Sequence, residues 1–113
     1  MRVLDIGCGM GDVTMLAADI VGPSGRVLGI DMDAQVVESA RQRMVGYGCA
    51  PWVDIEQAVI TDFSSPHQFD ALVGRYVLLY LPDAGATLRR LLANVKPGGI
   101  VVFHDPDIFE LCS

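Results

Sequence analysis

Residues 3–14 have the sequence Val-Leu-Asp-Ile-Gly-Cys-Gly-Met-Gly-Asp-Val-Thr, an apolar stretch followed by three closely spaced glycines. The apolar residues predict a buried β-strand that ends at Ile6. The glycines are Gly7, Gly9 and Gly11. They predict a tight turn with positive φ angles, which a ligand can approach closely because the turn lacks side chains. Asp5 adds a carboxylate at the end of the strand, where burial requires a polar or cationic partner. We therefore predict that this turn binds a ligand.

The spacing of the glycines limits the kind of ligand. A dinucleotide fingerprint that begins at Gly7 and Gly9 requires glycine or alanine at position 12, where this chain has Asp12. A carboxylate in the first turn of a helix suits the helix dipole but repels a pyrophosphate. A nucleotide-binding oxidoreductase is therefore the least favoured function that we consider.

Composition indicates one small α/β domain. The chain has 113 residues, of which 51% are hydrophobic. Its mean hydropathy of +0.40 is typical of a sheet that is covered on both faces. No apolar run reaches the roughly 20 residues of a membrane-spanning helix, and the chain enters a strand without a signal peptide. We predict a single cytoplasmic domain over residues 1–113 that does not bind membranes.

Charge and cysteine content exclude further classes of function. A net charge of −6 and a pI of about 4.5 make nucleic acid a poor partner. The three cysteines are Cys8, Cys49 and Cys112. Their odd number and their spacing predict free thiols in a reducing compartment. No pattern in the sequence demands a metal.

Hydrophobic periodicity and turn residues predict five strands and three helices in alternation. The strands are predicted at 3–6, 26–30, 52–56, 69–73 and 100–103. The helices are predicted after Gly11, over 34–47, and from 83 until residues 96–99 stop the third. The repeated order of strand and helix predicts a mostly parallel sheet with helices on both faces.

Each predicted helix carries apolar residues at helical spacing. They are Val13, Leu16, Ala17 and Ile20 in the first, Val36, Val37, Ala40 and Met44 in the second, and Leu88, Leu91, Leu92 and Val95 in the third. Asp33 is the predicted N-cap of the second helix, and Gly48 is its predicted stop. We expect the apolar stripes to lie against the sheet.

The second predicted strand ends in an acidic residue, Asp31, twenty residues after Gly11. In doubly wound sheets a carboxylate in this place accepts hydrogen bonds from ribose hydroxyls. Asp33 already accounts for the start of the helix that follows. Asp31 is therefore the residue that we expect to face a nucleoside.

Four segments together resemble class I S-adenosylmethionine-dependent methyltransferases. Residues 3–11 resemble the first motif of that family, 29–33 its acidic post-motif, 69–73 its fourth-strand motif and 92–101 its fifth. The resemblance implies a Rossmann-like, doubly wound sheet of about five strands in the order 3-2-1-4-5. It also implies methyl transfer from S-adenosylmethionine to an O, N or C atom of a small-molecule acceptor, with S-adenosylhomocysteine as the product. The stretch around Arg75, Tyr76 and Leu79 is similar to methyltransferases of the ubiquinone and menaquinone type.

The same resemblance implies a set of cofactor-binding residues. They are Asp5, Gly7, Cys8, Gly9, Gly11, Asp31, Met32, Ile60, Asp62 and Arg75. Asp31 is expected to hold the ribose hydroxyls, and Met32 to pack against the adenine ring. Val59 stands where the family usually has an acid that meets the adenine amino group, so that hydrogen bond is lost unless Asp62 or a backbone carbonyl replaces it. Asp62 in a loop-capping role and Arg75 in a surface salt bridge remain open alternatives.

His104 and Asp105 follow the fifth predicted strand and are the candidate catalytic residues. A histidine paired with an acid can remove a proton from a substrate hydroxyl. Polar residues in such loops also serve for capping alone. The catalytic residue is otherwise unassigned.

The chain is shorter than the family it resembles, whose sheet normally has seven strands. It ends after the fifth predicted strand, without the closing antiparallel pair and without a helix before the first strand. This predicts a truncated domain with an unprotected apolar edge at the fifth strand, and a homodimer through that edge is a candidate assembly. Two functions remain open: an active methyltransferase, or a cofactor-binding module that needs a partner or a second copy.

Overall fold

Five parallel strands form a single sheet in the computed structural model, which describes residues 1–75 and 83–104. The strands are β1 (Arg2–Ile6), β2 (Arg26–Asp31), β3 (Val53–Gln57), β4 (Phe69–Arg75) and β5 (Val95–His104). Their order in the sheet is β3-β2-β1-β4-β5, and every neighbouring pair is parallel. The predicted order 3-2-1-4-5 is confirmed.

Among the described residues, three α-helices lie between the strands: α1 (Asp12–Val21), α2 (Ala34–Tyr47) and α3 (Ala84–Leu92). The limits of α2 are those predicted. The Asp33 carboxylate accepts hydrogen bonds from the Gln35 and Val36 N–H groups, and Gly48 ends the helix with a φ of 90°. The cap and the stop therefore act as the sequence predicts.

The core consists of two apolar layers, one on each face of the sheet. On one face α1 and α2 pack over the sheet through Ala18, Val37, Ala40 and Met44, which meet Val3, Val27 and Ile55. On the other face α3 contributes Leu91, which packs with Leu4, Ile6, Ile30, Phe69 and Leu72. Helices on both faces, as predicted, leave the carboxyl ends of the strands open at one edge.

The predicted apolar stripe of α1 is wrong at two of its four positions, whereas Ala17 packs against the core as predicted. Leu16 and Ile20 are 60% and 73% exposed, whereas Thr14 and Ala18 are fully buried. The rotation of the helix follows from a hydrogen bond of 2.6 Å that the Thr14 hydroxyl donates to the buried Asp5 carboxylate. That bond turns Thr14, and with it Ala18 one turn later, onto the sheet.

The predicted end of the third helix is also wrong. α3 ends at Leu92, which is 39% exposed, and Val95 is the first residue of β5. Val95 pairs with Phe69, and the register shifts before Ala71 pairs with Ile100. The residues that were expected to stop a helix therefore form an irregular start of the strand.

The Asp70 carboxylate at the start of β4 links this strand to its two neighbours in the sheet, β1 and β5. The Asp70 carboxylate accepts a hydrogen bond of 2.7 Å from the Arg2 N–H group on β1. Lys96 on β5 lies 3.3 Å from its other oxygen. The Arg2 hydrogen bond, helped by the Lys96 charge, lowers the pKa of Asp70 below its ordinary value.

Asp70→Asn is expected to reduce the pH dependence of stability in acid. Because the pKa of Asp70 is lower in the folded chain, its stabilisation is present above the ordinary pKa of about 4 and is lost as the pH falls through the folded value. The wild-type chain should therefore lose more stability than the variant between pH 7 and pH 3. Urea unfolding followed by circular dichroism measures this difference. Asp54→Asn, at an exposed position on β3, is the control, and an equal loss in all three proteins would contradict the assignment.

Within the described ranges, no helix has the length and apolarity that a membrane crossing requires. The same ranges contain no group of three or more His, Cys, Asp or Glu side chains arranged to hold a metal ion. Cys8 and Cys49 are buried free thiols. Cys112 lies outside the described residues.

Candidate functional site

The glycine turn follows β1, the central strand, at the edge of the sheet where all five strands have their carboxyl ends. The chain proceeds from β1 outward to β2 and β3 and then crosses to β4 on the other side of β1. The order therefore reverses beside β1. Ligands of doubly wound sheets bind at such a reversal point.

The three glycines of the turn all have positive φ angles, of 66° at Gly7, 54° at Gly9 and 91° at Gly11. A Cβ atom added to Gly9 would meet no heavy atom within 4 Å, so this glycine faces open space. A Cβ atom added to Gly11 would lie 2.6 Å from the terminal methyl carbon of Met44 on α2. Gly9 is thus free to meet a ligand, whereas Gly11 also serves the packing of the turn on α2.

A cavity of about 280 Å³ opens at this turn. It is lined by Asp5, Gly7, Cys8, Gly9, Met10, Asp12 and Val13. Its volume is near the lower end of the roughly 300–1,000 Å³ of small-molecule sites. Two of the lining residues are aspartates, and none of those described is a lysine or an arginine. The cavity therefore favours a cationic group over a phosphate.

Asp31 holds the turn from the end of β2. One carboxylate oxygen accepts a hydrogen bond of 3.1 Å from the Gly9 N–H group, and the other accepts one of 3.0 Å from the Asp33 N–H group. A carboxylate oxygen has a second acceptor position, so both oxygens can still accept a hydrogen bond from a ligand. The two main-chain donors fix the orientation of Asp31 before any ligand arrives.

Thr14 is a site residue that sequence reasoning missed. Its hydroxyl is the polar partner that Asp5 was expected to need, and the two residues are 0% and 3% exposed. A hydrogen bond to a buried charged group contributes about 1.5–3 kcal/mol. The signal in the sequence is a threonine in the first turn of a helix that follows an acid-ended strand.

Cys8 packs beneath the turn. Burial, together with the charges of Asp5 and Asp31, raises the pKa of its thiol to about 12. The side chain fills the space that a Cβ atom at Gly29 on β2 would need, since that atom would lie 3.2 Å from the Cys8 sulfur. Cys8 is therefore protonated at neutral pH and is not a thiolate nucleophile.

The residues expected to meet a base lie beyond β2 and β3. The Ala58 N–H group donates to the Asp31 main-chain oxygen at 3.0 Å, which ties the segment after β3 to the end of β2. Met32 and Val59, which follow these neighbouring strands, are 70% and 50% exposed. They offer apolar surface at this edge.

Ile60 and Asp62 lie in a short 3-10 turn, Ile60–Asp62. The Ile60 side chain packs against the core on the α3 face of the sheet. Asp62 is exposed, and its N–H group donates to the Val59 oxygen at 3.0 Å. The Arg90 guanidinium of α3 donates to the Thr61 oxygen and so fastens this turn to the helix.

The predicted cofactor-binding residue Arg75 belongs to β4, and the candidate catalytic residue His104 belongs to β5. Arg75 and His104 end these strands, and their main chains pair in register. Asp105, Tyr76 and Leu79 lie outside the described residues. The roles predicted for Arg75, His104 and Asp105 remain predictions.

Comparison with known proteins agrees with this architecture. A family model described as a methyltransferase domain matches residues 1–112. Aklanonic acid methyltransferase DauC of Streptomyces sp. (strain C5) is 35% identical over 105 residues, which are 93% of this chain and 48% of that protein. The chain thus spans about half the length of this curated relative.

Two solved structures share the fold. The cyclase SpnF superposes with a TM-score of 0.80 and 28% identity over 89% of this chain and 37% of that one. The arsenic(III) S-adenosylmethionine methyltransferase CrArsM of Chlamydomonas reinhardtii also has a TM-score of 0.80, with 27% identity over 91% of this chain and 38% of that one. Together with the family model, which covers nearly the whole sequence, they lead to one conclusion: the chain belongs to the methyltransferase domain family.

Proposed function

We propose that this chain binds S-adenosylmethionine at the glycine turn and transfers its methyl group to an O, N or C atom of a small molecule. The observation that carries the proposal is the open face of Gly9 beside the Asp31 carboxylate, which two main-chain N–H groups hold in place. Membership of the methyltransferase family supports it. The names of DauC and CrArsM, one a methyltransferase of an organic acid and one an S-adenosylmethionine enzyme, support it as well.

The residues around the turn suit the parts of this cofactor. The carboxylate of Asp5 lines the cavity and favours the ammonium group of its amino-acid end. The oxygens of Asp31 suit two vicinal hydroxyls, because each retains an acceptor position. Met32 and Val59 provide exposed apolar surface for an aromatic ring. The ammonium group, the ribose hydroxyls and the adenine ring of the ligand thus each have a suitable group at the same edge of the sheet.

The cofactor, when bound, supplies a methyl group on a sulfonium, which is already an activated donor. The chain's own task is to hold donor and acceptor in reacting geometry, which can lower the barrier by about 7–11 kcal/mol. Asp31 and the glycine turn anchor the donor. In this proposal His104 or Asp105 removes the acceptor proton when the nucleophile carries one.

Gly9→Ala is expected to abolish binding while the fold survives. The added methyl group would enter the open space at the turn, so Kd for S-adenosylhomocysteine should rise beyond the range of calorimetric titration. The left-handed backbone costs about 1–2 kcal/mol of stability. Gly48→Ala is the matched control, because Gly48 also has a positive φ, of 90°, and open space around its Cβ position, but it ends α2 away from the turn.

The wild-type chain should bind S-adenosylhomocysteine and not NADH, and Gly48→Ala should bind like wild type. Binding of NADH in preference would favour the oxidoreductase alternative. No binding of S-adenosylhomocysteine by a folded wild-type chain would overturn the proposal. Equal binding by Gly9→Ala and wild type would place the cofactor elsewhere.

A second candidate is a cofactor-binding module without methyl transfer. It is favoured by the match to SpnF, which is named a cyclase although it shares this fold. Incubation of the chain with S-adenosylmethionine and small-molecule extracts separates the two functions. Release of S-adenosylhomocysteine supports the enzyme, and binding without release supports the module.

We also propose that the chain forms a homodimer through β5. β5 lies at the end of the strand order, and three consecutive residues, Ile100, Val101 and Val102, are 54%, 39% and 51% exposed. Because side chains alternate between faces, both faces of this edge strand are apolar. A second copy that pairs with β5 would cover them, and sedimentation velocity tests this.

The two free thiols support a cytoplasmic location.

A further inference from the structure

A side chain of α2 reaches the glycine turn from outside the cavity. One nitrogen of the Arg43 guanidinium, Nη1, donates to the Met10 main-chain oxygen at 2.8 Å and to the Asp12 carboxylate at 2.9 Å. The sequence motif that predicts the turn does not predict these two hydrogen bonds, because Arg43 lies 33 positions beyond Met10. The turn is therefore held by a residue that belongs to another helix.

The contact fixes the peptide group between Met10 and Gly11 at both ends. The Arg43 guanidinium donates to the Met10 oxygen of this peptide. The Gly11 N–H group of the same peptide donates to the Cys8 oxygen at 3.0 Å. Rotation of this peptide would change the φ angle of Gly11, which is 91°. Arg43 thus acts on the backbone conformation that the turn needs.

The same side chain governs the charge at the mouth of the cavity. Asp12 lines the cavity, and its side chain is 73% exposed, whereas that of Arg43 is 38% exposed. An exposed ion pair alone contributes little to stability. The bond to the Met10 oxygen is therefore the contact that orients the turn, and the bond to Asp12 holds that carboxylate towards α2.

We propose that Arg43 is a positioning residue for cofactor binding: it presets the Met10–Gly11 peptide and so keeps the turn in the shape that the ligand contacts. The inference rests on the proposed function. Arg43 does not line the cavity, so it acts through the turn.

Arg43→Met removes the donors and keeps the apolar stem. Arg41→Met is the matched control, because Arg41 lies on the same helix and donates to the Ile55 oxygen of β3 at 2.8 Å, away from the turn. Arg43→Lys is the conservative variant. Both contacts of Arg43 come from a single nitrogen, so one ammonium group is able to restore at least one of them.

Two measurements test the proposal, titration with S-adenosylhomocysteine and amide hydrogen exchange of the ligand-free chain. Arg43→Met should raise Kd roughly five- to tenfold and speed exchange at the Gly9 and Gly11 amides. Arg43→Lys should recover most of both effects. Arg41→Met should change neither, although loss of its bond to the Ile55 oxygen lowers overall stability. Unchanged Kd and exchange in Arg43→Met, or equal changes in Arg41→Met, would overturn the proposal.

The two measurements also separate this proposal from the proposed function. If the wild-type chain does not bind S-adenosylhomocysteine, the proposed function fails. The exchange rates then still decide whether Arg43 fixes the turn. If wild type binds and only the Arg43 arm shows no effect, the proposed function stands and the positioning role is refuted.

Discussion

Replacement of Asp31 by asparagine is expected to raise Kd for S-adenosylhomocysteine roughly 30- to 100-fold, a loss of about 2–3 kcal/mol. Both oxygens of Asp31 accept main-chain hydrogen bonds, from the Gly9 and Asp33 N–H groups. An amide offers only one oxygen, so its NH₂ group must face one of these donors. The variant therefore loses the charged acceptor that we propose for the ribose and also a bond that holds the side chain in place.

Asp33→Asn is the control for this experiment. Asp33 lies two residues further along and loses the same charge on substitution, but its carboxylate caps α2 through the Gln35 and Val36 N–H groups. Asparagine is an equally good N-cap. Calorimetric titration should therefore show a Kd near the wild-type value for Asp33→Asn. Equal weakening in the two variants would mean that net charge, and not the Asp31 contact, determines affinity.

Gly99→Ala is expected to destabilise the fold by about 3 kcal/mol, the upper part of the range for overpacking. A Cβ atom at Gly99 would lie 2.9 Å from the main-chain oxygens of Asp70 and Lys96 and 2.6 Å from a methyl carbon of Val95. Main-chain oxygens cannot move aside without disturbing the pairing of β4 with β5. The clash therefore has no inexpensive relief.

Gly98→Ala separates this clash from backbone strain. Gly98 has a φ of 80° and no heavy atom within 4 Å of its Cβ position, so alanine there meets only the cost of the left-handed region, about 1–2 kcal/mol. Urea unfolding of the two variants should show the larger loss for Gly99→Ala. The reverse order would mean that the strand start rearranges to admit the side chain.

The sequence predicted well the features that depend on residues close together in the chain. Asp33 and Gly48 delimit α2 as expected, because an N-cap and a left-handed stop act within a few residues of themselves. The positive φ angles of the glycine turn follow from the same kind of local reasoning. The strand order is confirmed as well.

Features that depend on distant partners were predicted less well. The apolar stripe of α1 was assigned from spacing, yet the helix is rotated so that Thr14 is buried and Ile20 is 73% exposed. Gly99 was interpreted as a helix stop. It lies in β5, so close to the main-chain oxygen of Asp70 that a Cβ atom would clash with it. The local sequence pattern reveals neither Asp5 as the partner of Thr14 nor the Asp70 oxygen as the neighbour of Gly99.

By itself, the sequence determined the glycine turn, because backbone preferences within one short segment fix it, and the class of the fold, because strands and helices alternate along the chain. The tertiary structure decided which atoms hold that turn. Thr14 meets Asp5, and Arg43 of α2 meets Met10 and Asp12. These contacts join residues far apart in the chain, and their geometry exists only once the helices have packed on the sheet.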